Sequence, residues 1–562
     1  MLKLRQYAPL LCLLAWSGMS GVLAQEFHER MSDWPSDLRI RGMVMAAADG
    51  QVSRQQLDYL VRASGGANTR VVWVSFGAAG MPSIAETLNS QVSRVDYYWV
   101  SPETGIPQPM NLTDSAETTV AIQDALSQAT AVCLNSDGSL NSARRACLLK
   151  WKVEWQAVID RGGVVFGSGP VSGSLGKHEI LGGQFMGDSR MASLASALNL
   201  IPDTVLQTDF QTTTAKPRLL SVLAAHPRSI GVGLDPETTL VLQGRKIRAL
   251  GGGQLHFFTM ANERSPLRSK SIREPVGRRS SPYDYLVDLT AWRRDAIDRT
   301  RDPFPPQEPQ VPTVQNGTLM IVGGGGLPEG LMDQFIERAG GQQARLVYIP
   351  CTERASLTPG DMRLVQLWRN KGVASADVVH TKDRNVANSD EDFLRPLQTA
   401  TGIFFGGGRQ WNFADSYYGT EAHRLMKGVL QRGGVIAGSS AGASIQAEYL
   451  ARANPLGNLD IMAEGYERGG LGFLSGVAID QHFTQRKRQP DMSRLVNRYP
   501  QLLGIGIDER TALIVRHSTA EVVGIHDVYF YDRSQQAAHD QPDYLKLSAG
   551  EKYDLAERKV LE

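Results

Sequence analysis

Apolar residues along this chain come in short unbroken runs rather than in strict alternation. LVYIP (346–350), GIFFGG (402–407) and GVIAGS (434–439) are continuous. Strands of that kind are buried on both faces, as in a parallel sheet. Between them lie stretches with helical spacing, such as PEGLMDQFIERAGG (328–341) and DSYYGTEAHRLMKGVLQRGG (415–434). Strand and helix patterns that alternate in this way predict α/β layers with helices on both faces of the sheet.

The pattern occurs twice. RASGGANTRVVWVSF (62–76) parallels ERAGGQQARLVYIPC (337–351), and RGGVVFGSGPVSGS (161–174) parallels RGGVIAGSSAGAS (432–444). HPRSIGVGLDPETTLVL (226–242) parallels YPQLLGIGIDERTALIV (499–515), and ALGGGQLHFF (249–258) parallels VVGIHDVYFY (522–531). The offset runs from 271 to 275 residues and the order is kept. Such self-similarity predicts a duplicated domain. The copies span residues 36–297 and 317–562, joined by a linker at 298–316. Five prolines in RDPFPPQEPQVPTVQN (301–316) favour an extended connector.

One string in the second copy carries chemistry. Gly438-Ser439-Ser440-Ala441-Gly442 reads G-x-S-x-G, between an apolar strand and a small-residue stretch with helical promise, AGASIQAEYLA. That is the setting of a nucleophile elbow centred on Ser440. The same letters also suit a Gly/Ser-rich turn with no chemistry. A serine nucleophile needs a base and a group to orient it. His482 lies at the centre of IDQHFTQRKR (479–488), where a strand opens into a loop. Glu509 lies in the polar turn between two short strands of LLGIGIDERTALIV (502–515). Each alone reads as an ordinary packed or surface residue; the three in this order make a set. A histidine base of that kind is expected to titrate near roughly 6.5–7.

Six segments, in order, carry a family resemblance: IVGGGG (321–326), LVYIPC (346–351), FFGGGRQ (404–410), GSSAGAS (438–444), DQHFTQR (480–486) and GIGIDERTAL (504–513). The C-terminal half resembles the cyanophycinases, of the serine peptidase family that also contains aspartyl dipeptidases. The resemblance implies a glutamine-amidotransferase-like or flavodoxin-like α/β fold, which the repeat puts in two tandem copies, and a serine-type exopeptidase that needs no cofactor. It implies Ser440, His482 and Glu509 as the triad, with Gly407 and Ala441 giving N–H groups to the oxyanion. Gln410, Asp480, Gln481, Arg486 and Arg488 match positions lining the family's substrate site. The family carries a further arginine where this chain has Asp491, and Arg494 lies three residues on. The implied substrate is cyanophycin, a poly-aspartate backbone with arginine on each side chain, cut to β-Asp-Arg dipeptides. An acid such as Asp480 suits a guanidinium, and Arg486 and Arg488 suit a free carboxylate. Arg486 to Arg488 also reads as a solvated charge run. Other aspartyl or isoaspartyl peptides are the alternative substrate, and a non-catalytic polymer-binding protein is the alternative class.

The first copy lacks this chemistry. Gly169 stands for Ser440, Pro170 for Ala441, Asp209 for His482 and Pro236 for Glu509. It is expected to be an inactive structural or docking partner, placed as the second subunit of an internal pseudo-dimer, with further homo-oligomers left open.

Composition narrows the remaining classes. The chain has 562 residues, 42% hydrophobic and 21% charged, which suits a globular protein of two or more domains. A net charge of +1 gives no general pull toward nucleic acid or membrane. Gly323–Gly326 fails the dinucleotide pattern because Pro328 takes the last glycine position, and the ten histidines show no metal-ligand spacing. Lys3 and Arg5, the apolar run from Ala8 to Trp16 and Val22-Leu23-Ala24 read as a signal peptide over 1–24, cleaved after Ala24. Export to the periplasm or medium would permit a Cys133–Cys147 disulfide and leave Cys351 over. Basic residues crowd 264–279, either as a solvated loop or as a surface for an anionic partner.

Overall fold

The computed structural model describes residues 34–35, 37–77, 83–109, 118–138, 140–181, 193–275, 281–457, 459–534 and 542–562. The expected leader lies outside these residues. The chain divides into two compact units, Asp37–Asp302 and Pro303–Glu562, the latter joined by Trp34 and Pro35. Trp34 belongs there through its ring, whose centroid lies 4.3 Å from that of Tyr418. Among the described residues no helix is long and apolar enough to cross a membrane.

The C-terminal unit is built on a nine-stranded sheet. Five strands run parallel in the order Ser375–Val378, Arg345–Ile349, Gly402–Phe405, Val435–Ser439 and Val314–Val322. Four antiparallel strands follow, beginning with Thr511–His517 and Thr519–Gly524. The apolar runs of the sequence supply the parallel core, with Gly402–Phe405 buried throughout. One face packs Leu331 and Phe335 of the helix Leu331–Arg338 and Val365 and Trp368 of the helix Arg363–Asn370 against Met320, Leu346, Phe404 and Ala437. The alternate residues face the other way, where Phe405 meets Phe413 of the helix Trp411–Tyr417 edge-on at 5.3 Å. A second sheet orders Ala447–Tyr449, Leu474–Gln481, Leu503–Ile507, Val528–Tyr531 and Leu545–Leu547.

The N-terminal unit repeats this plan. Its main sheet orders Arg94–Val100, Arg70–Ser75, Ala131–Asn135, Val164–Ser168 and Met43–Ala47 in parallel, then Thr238–Gln243 and Lys246–Gly251 antiparallel. Strand for strand, that is the order of the C-terminal sheet. The second sheet agrees to the residue: Gly233 faces His256 as Gly506 faces Tyr529, both pairs offset by 273.

Three sequence expectations change here. Cys133 and Cys147 are free thiols, not a disulfide. Cys133 packs on the sheet face with Leu57 and Phe166, whereas Cys147 packs on the opposite face with Leu148 and Trp151, so the sheet separates them. The proline-rich connector is extended but not free from Pro303 onward. Phe304 stacks on Tyr449 at 6.1 Å, and Gln501 Nε2 donates to the carbonyls of Pro305 and Pro306. The basic run is partly structural. The Arg268 guanidinium lies 4.1 Å over Trp292 and pairs with Asp295, and Lys270 Nζ donates to the Leu286 carbonyl. Burial pulls the Lys270 ammonium down to about 8. Arg278 and Arg279 lie outside the described residues.

Candidate active site

Strand Val435–Ser439 runs through the parallel core and stops at Ser440, whose backbone sits at φ 57, ψ −112. Few non-glycine residues hold such angles unless the surroundings enforce them. Here the enforcement is close packing. The Ser440 N–H donates to the Val322 carbonyl at 3.0 Å. A Cβ on Gly438 would lie 2.2 Å from the Gly442 carbonyl oxygen, and one on Gly442 would lie 2.2 Å from that of Phe405. Both glycines of G-x-S-x-G are therefore required by the turn. The helix that follows, Ala441–Ser444, is a single turn, shorter than the small-residue stretch suggested, because the chain enters the second sheet at Ala447. Any anion stabilisation at this point comes from individual N–H groups rather than a long helix dipole.

The second sheet delivers the other two residues. His482 follows strand Leu474–Gln481, and its N–H donates to the Gly323 carbonyl at 2.8 Å. Glu509 lies where the chain crosses from Leu503–Ile507 in the second sheet to Thr511–His517 in the main one. Its N–H donates to Gln485 Oε1 at 3.0 Å. The result is one hydrogen-bonded chain: Glu509 Oε1 to His482 Nδ1 at 2.6 Å, and His482 Nε2 to Ser440 Oγ at 2.9 Å. A carboxylate on Nδ1 leaves Nε2 free to accept the serine proton. The glycine run of IVGGGG makes the space. A Cβ on Gly324 would lie 2.3 Å from His482 Cε1, and one on Gly325 would lie 2.6 Å from Glu509 Oε2. Burial lowers the His482 pKa below its ordinary 6.5; the Glu509 bond opposes this, and the cations of Arg486 and Arg488 add to it. The histidine is therefore neutral at pH 7, and it titrates lower than its sequence context suggested.

Gly407 and Ala441 lie beside the serine. A Cβ on Gly407 would lie 3.6 Å from Ser440 Cβ. Among the described residues neither N–H donates to a backbone or side-chain acceptor.

The other expected site residues divide. Arg486 is exposed and forms no ion pair among the described residues, so its cation is available near His482. Gln410 and Gln481 are buried; Gln410 Nε2 donates to the Ala451 carbonyl, and Gln481 Oε1 has no partner among the described residues. Asp480 cannot take a substrate guanidinium as expected. It is 0% exposed, with one oxygen bonded to Arg452 Nε and the other to Arg488 Nη1, both at 2.8 Å. Arg488 is likewise buried and engaged by Asp480 and the Gln481 carbonyl. Arg494, on the helix Gln489–Arg498, pairs with Asp460 at 2.5 Å. The sequence reading missed Arg452, which also bonds Asp491 Oδ2 at 2.8 Å. No local signal in AEYLARANP (447–455) marks an arginine that reaches residues 28 and 39 positions away.

Residues 319–523 match Peptidase family S51. A cyanophycinase of Geminocystis herdmanii is 29% identical over 204 residues, 36% of this chain and 74% of that protein. One from Trichormus variabilis is 26% identical over 246 residues, covering 41% and 82%. One from Synechococcus elongatus is 30% identical, covering 36% and 63%. Among solved structures, a peptidase from an acI-B1 Actinobacterium aligns with 44% of this chain and 98% of its own at TM-score 0.32 and 21% identity. A putative peptidase E from Listeria monocytogenes aligns with 37% and 98% at TM-score 0.29 and 15% identity. By its match to the family model over residues 319–523 and its cyanophycinase relatives, this chain is a serine-type peptidase.

Proposed function

We propose that the C-terminal unit hydrolyses cyanophycin to β-Asp-Arg dipeptides through a covalent acyl-enzyme. Ser440 Oγ attacks the scissile carbonyl while His482 Nε2 takes its proton. Glu509 holds the ring and stabilises the imidazolium. The N–H groups of Gly407 and Ala441 receive the oxyanion, the leaving amine takes the proton from His482, and water then releases the acyl group by the same steps. The observation that carries this reading is the continuous chain Glu509–His482–Ser440 at a strained elbow. The substrate part is supported by the cyanophycinase relatives and by the available cation of Arg486, which suits a free carboxylate.

A second substrate class has its own support. Asp480 and Arg488 neutralise each other, and Asp491 stands at the position where the resembling family has an arginine. That altered charge set fits other aspartyl or isoaspartyl peptides. Incubating the full chain with insoluble cyanophycin and with β-aspartyl dipeptides, and identifying the products, separates the two. Release of β-Asp-Arg supports the first. Cleavage of small isoaspartyl peptides alone replaces it with the second. The wider reading is an exported protein whose N-terminal unit is a duplicated copy without catalysis, acting as an internal partner for the active one.

A further inference from the structure

The N-terminal unit holds a cleft of about 400 Å³, and at the matching place in the C-terminal unit Tyr544 covers Tyr529 and Tyr531, with ring centroids 5.3 Å away in both cases. Strand register shows why. Strand pairing Val528↔Leu547 and Phe530↔Leu545 puts Tyr544 next in line opposite Tyr531. In the N-terminal unit His256 and Phe258 occupy the places of Tyr529 and Tyr531, and Ser269 is opposite Phe258. The covering aromatic ring is thus replaced by a hydroxymethyl group, and the space it filled is open.

The walls of that space are ordered and chemically specific. His256 is fixed from both sides, Nδ1 lying 2.8 Å from Ser271 Oγ and Nε2 3.2 Å from Asp235 Oδ1. Phe210 stacks on its ring at 5.0 Å. Asp235 is nearly buried, and its second oxygen accepts the Gln254 N–H. It lines the cleft with both carboxylate oxygens held by protein partners. Lys216 reaches over Phe258, its Nζ 5.4 Å from the ring centroid, and has no carboxylate partner among the described residues. Two aromatic rings, an immobilised imidazole and one unneutralised ammonium select for a flat ring bearing an anion.

We propose that this cleft binds a small aryl carboxylate. The ligand's ring takes the place that Tyr544 fills in the other unit, against His256 and Phe258. Its carboxylate accepts from Lys216, with the Ser269 and Ser271 hydroxyls within the same cleft. The site is independent of Ser440 and makes the N-terminal unit a small-molecule receptor rather than an inert remnant. The test is saturation-transfer NMR and calorimetry on the full chain with 3-(4-hydroxyphenyl)propionate as probe. Saturable binding is expected, weaker for the corresponding amide. Lys216→Ala should weaken it about tenfold, the loss of one charge-assisted bond. Ser269→Tyr, which restores the arrangement of the other unit, should abolish it. Both side chains are at the surface, and melting curves will show whether each variant folds. The absence of saturable binding would overturn the proposal. So would wild-type affinity in both folded variants, because the probe would then be bound elsewhere.

Discussion

The two units share a backbone plan and differ at the points where chemistry would occur. Gly169 sits at φ 69 and donates its N–H to Asp49 O at 2.9 Å; Ser440 sits at φ 57 and donates to Val322 O at 3.0 Å. Asp209 has φ 52 where His482 has φ 50. The unusual backbone at both positions therefore belongs to the fold, not to the side chain that occupies it. What differs is cost and clearance. Glycine adopts the elbow angle freely, whereas serine there is strained. Around Gly169 the space has also closed, since a Cβ would lie 2.1 Å from the Ser136 carbonyl oxygen.

The largest expected effect removes the difference at its source. Ser440→Ala should lower hydrolysis by about 10⁴-fold or more while the melting curve is kept. Ser439→Ala, one residue away, should retain substantial rate. Near wild-type turnover in Ser440→Ala would refute the assignment of the nucleophile.

Copying the N-terminal unit at Asp480 is the next test. Gln207 stands there, its side chain bonded to the Thr208 carbonyl, whereas Asp480 neutralises two buried guanidinium groups. Asp480→Gln should destabilise the C-terminal unit by about 3–5 kcal/mol, read by chemical denaturation, because Arg452 and Arg488 lose their shared anion. An unchanged midpoint would show that the network carries no stability.

The reverse copy should fail. Gly169→Ser with Asp209→His and Pro236→Glu, placed in a Ser440→Ala background, should give no hydrolysis. Gly169→Ser alone should cost about 1–3 kcal/mol, because the new Cβ meets backbone that cannot yield easily. Measurable turnover in the triple variant would show that the N-terminal site is intact but unarmed.

pH gives a smaller effect. His482 must be neutral to act, and its pKa is lowered by burial. As pH rises, kcat/KM should climb through an apparent pKa below 6.5 and then level, losing about tenfold per pH unit on the acid side. An acid limb centred above 7 would contradict the buried environment. The smallest effect is on the elbow itself. Ser440→Gly should be more stable than Ser440→Ala by about 1 kcal/mol, since only glycine relaxes at φ 57. Equal stability would mean that the turn holds no strain.

Much of this was legible in the chain. The parallel core followed from unbroken apolar runs, because strands covered on both faces have no reason to alternate. The shared plan of the two halves followed from ordered matches at a nearly constant offset, which the strand register reproduces at Gly233–His256 and Gly506–Tyr529. Ser440, His482 and Glu509 were nameable because residue type, order and local turn pattern are one-dimensional properties. The tertiary structure decided everything that depends on which residues share a volume. It engaged Asp480 with both Arg488 and Arg452, where the sequence offered Asp480 and Arg488 to substrate. It gave Gly324 and Gly325 their purpose as clearance for His482 and Glu509. It kept Cys133 and Cys147 on opposite sides of a sheet, and it opened a cleft where Ser269 faces Phe258. Periodicity and motif are written along the chain, but charge pairing and free volume are set only when distant segments are packed together.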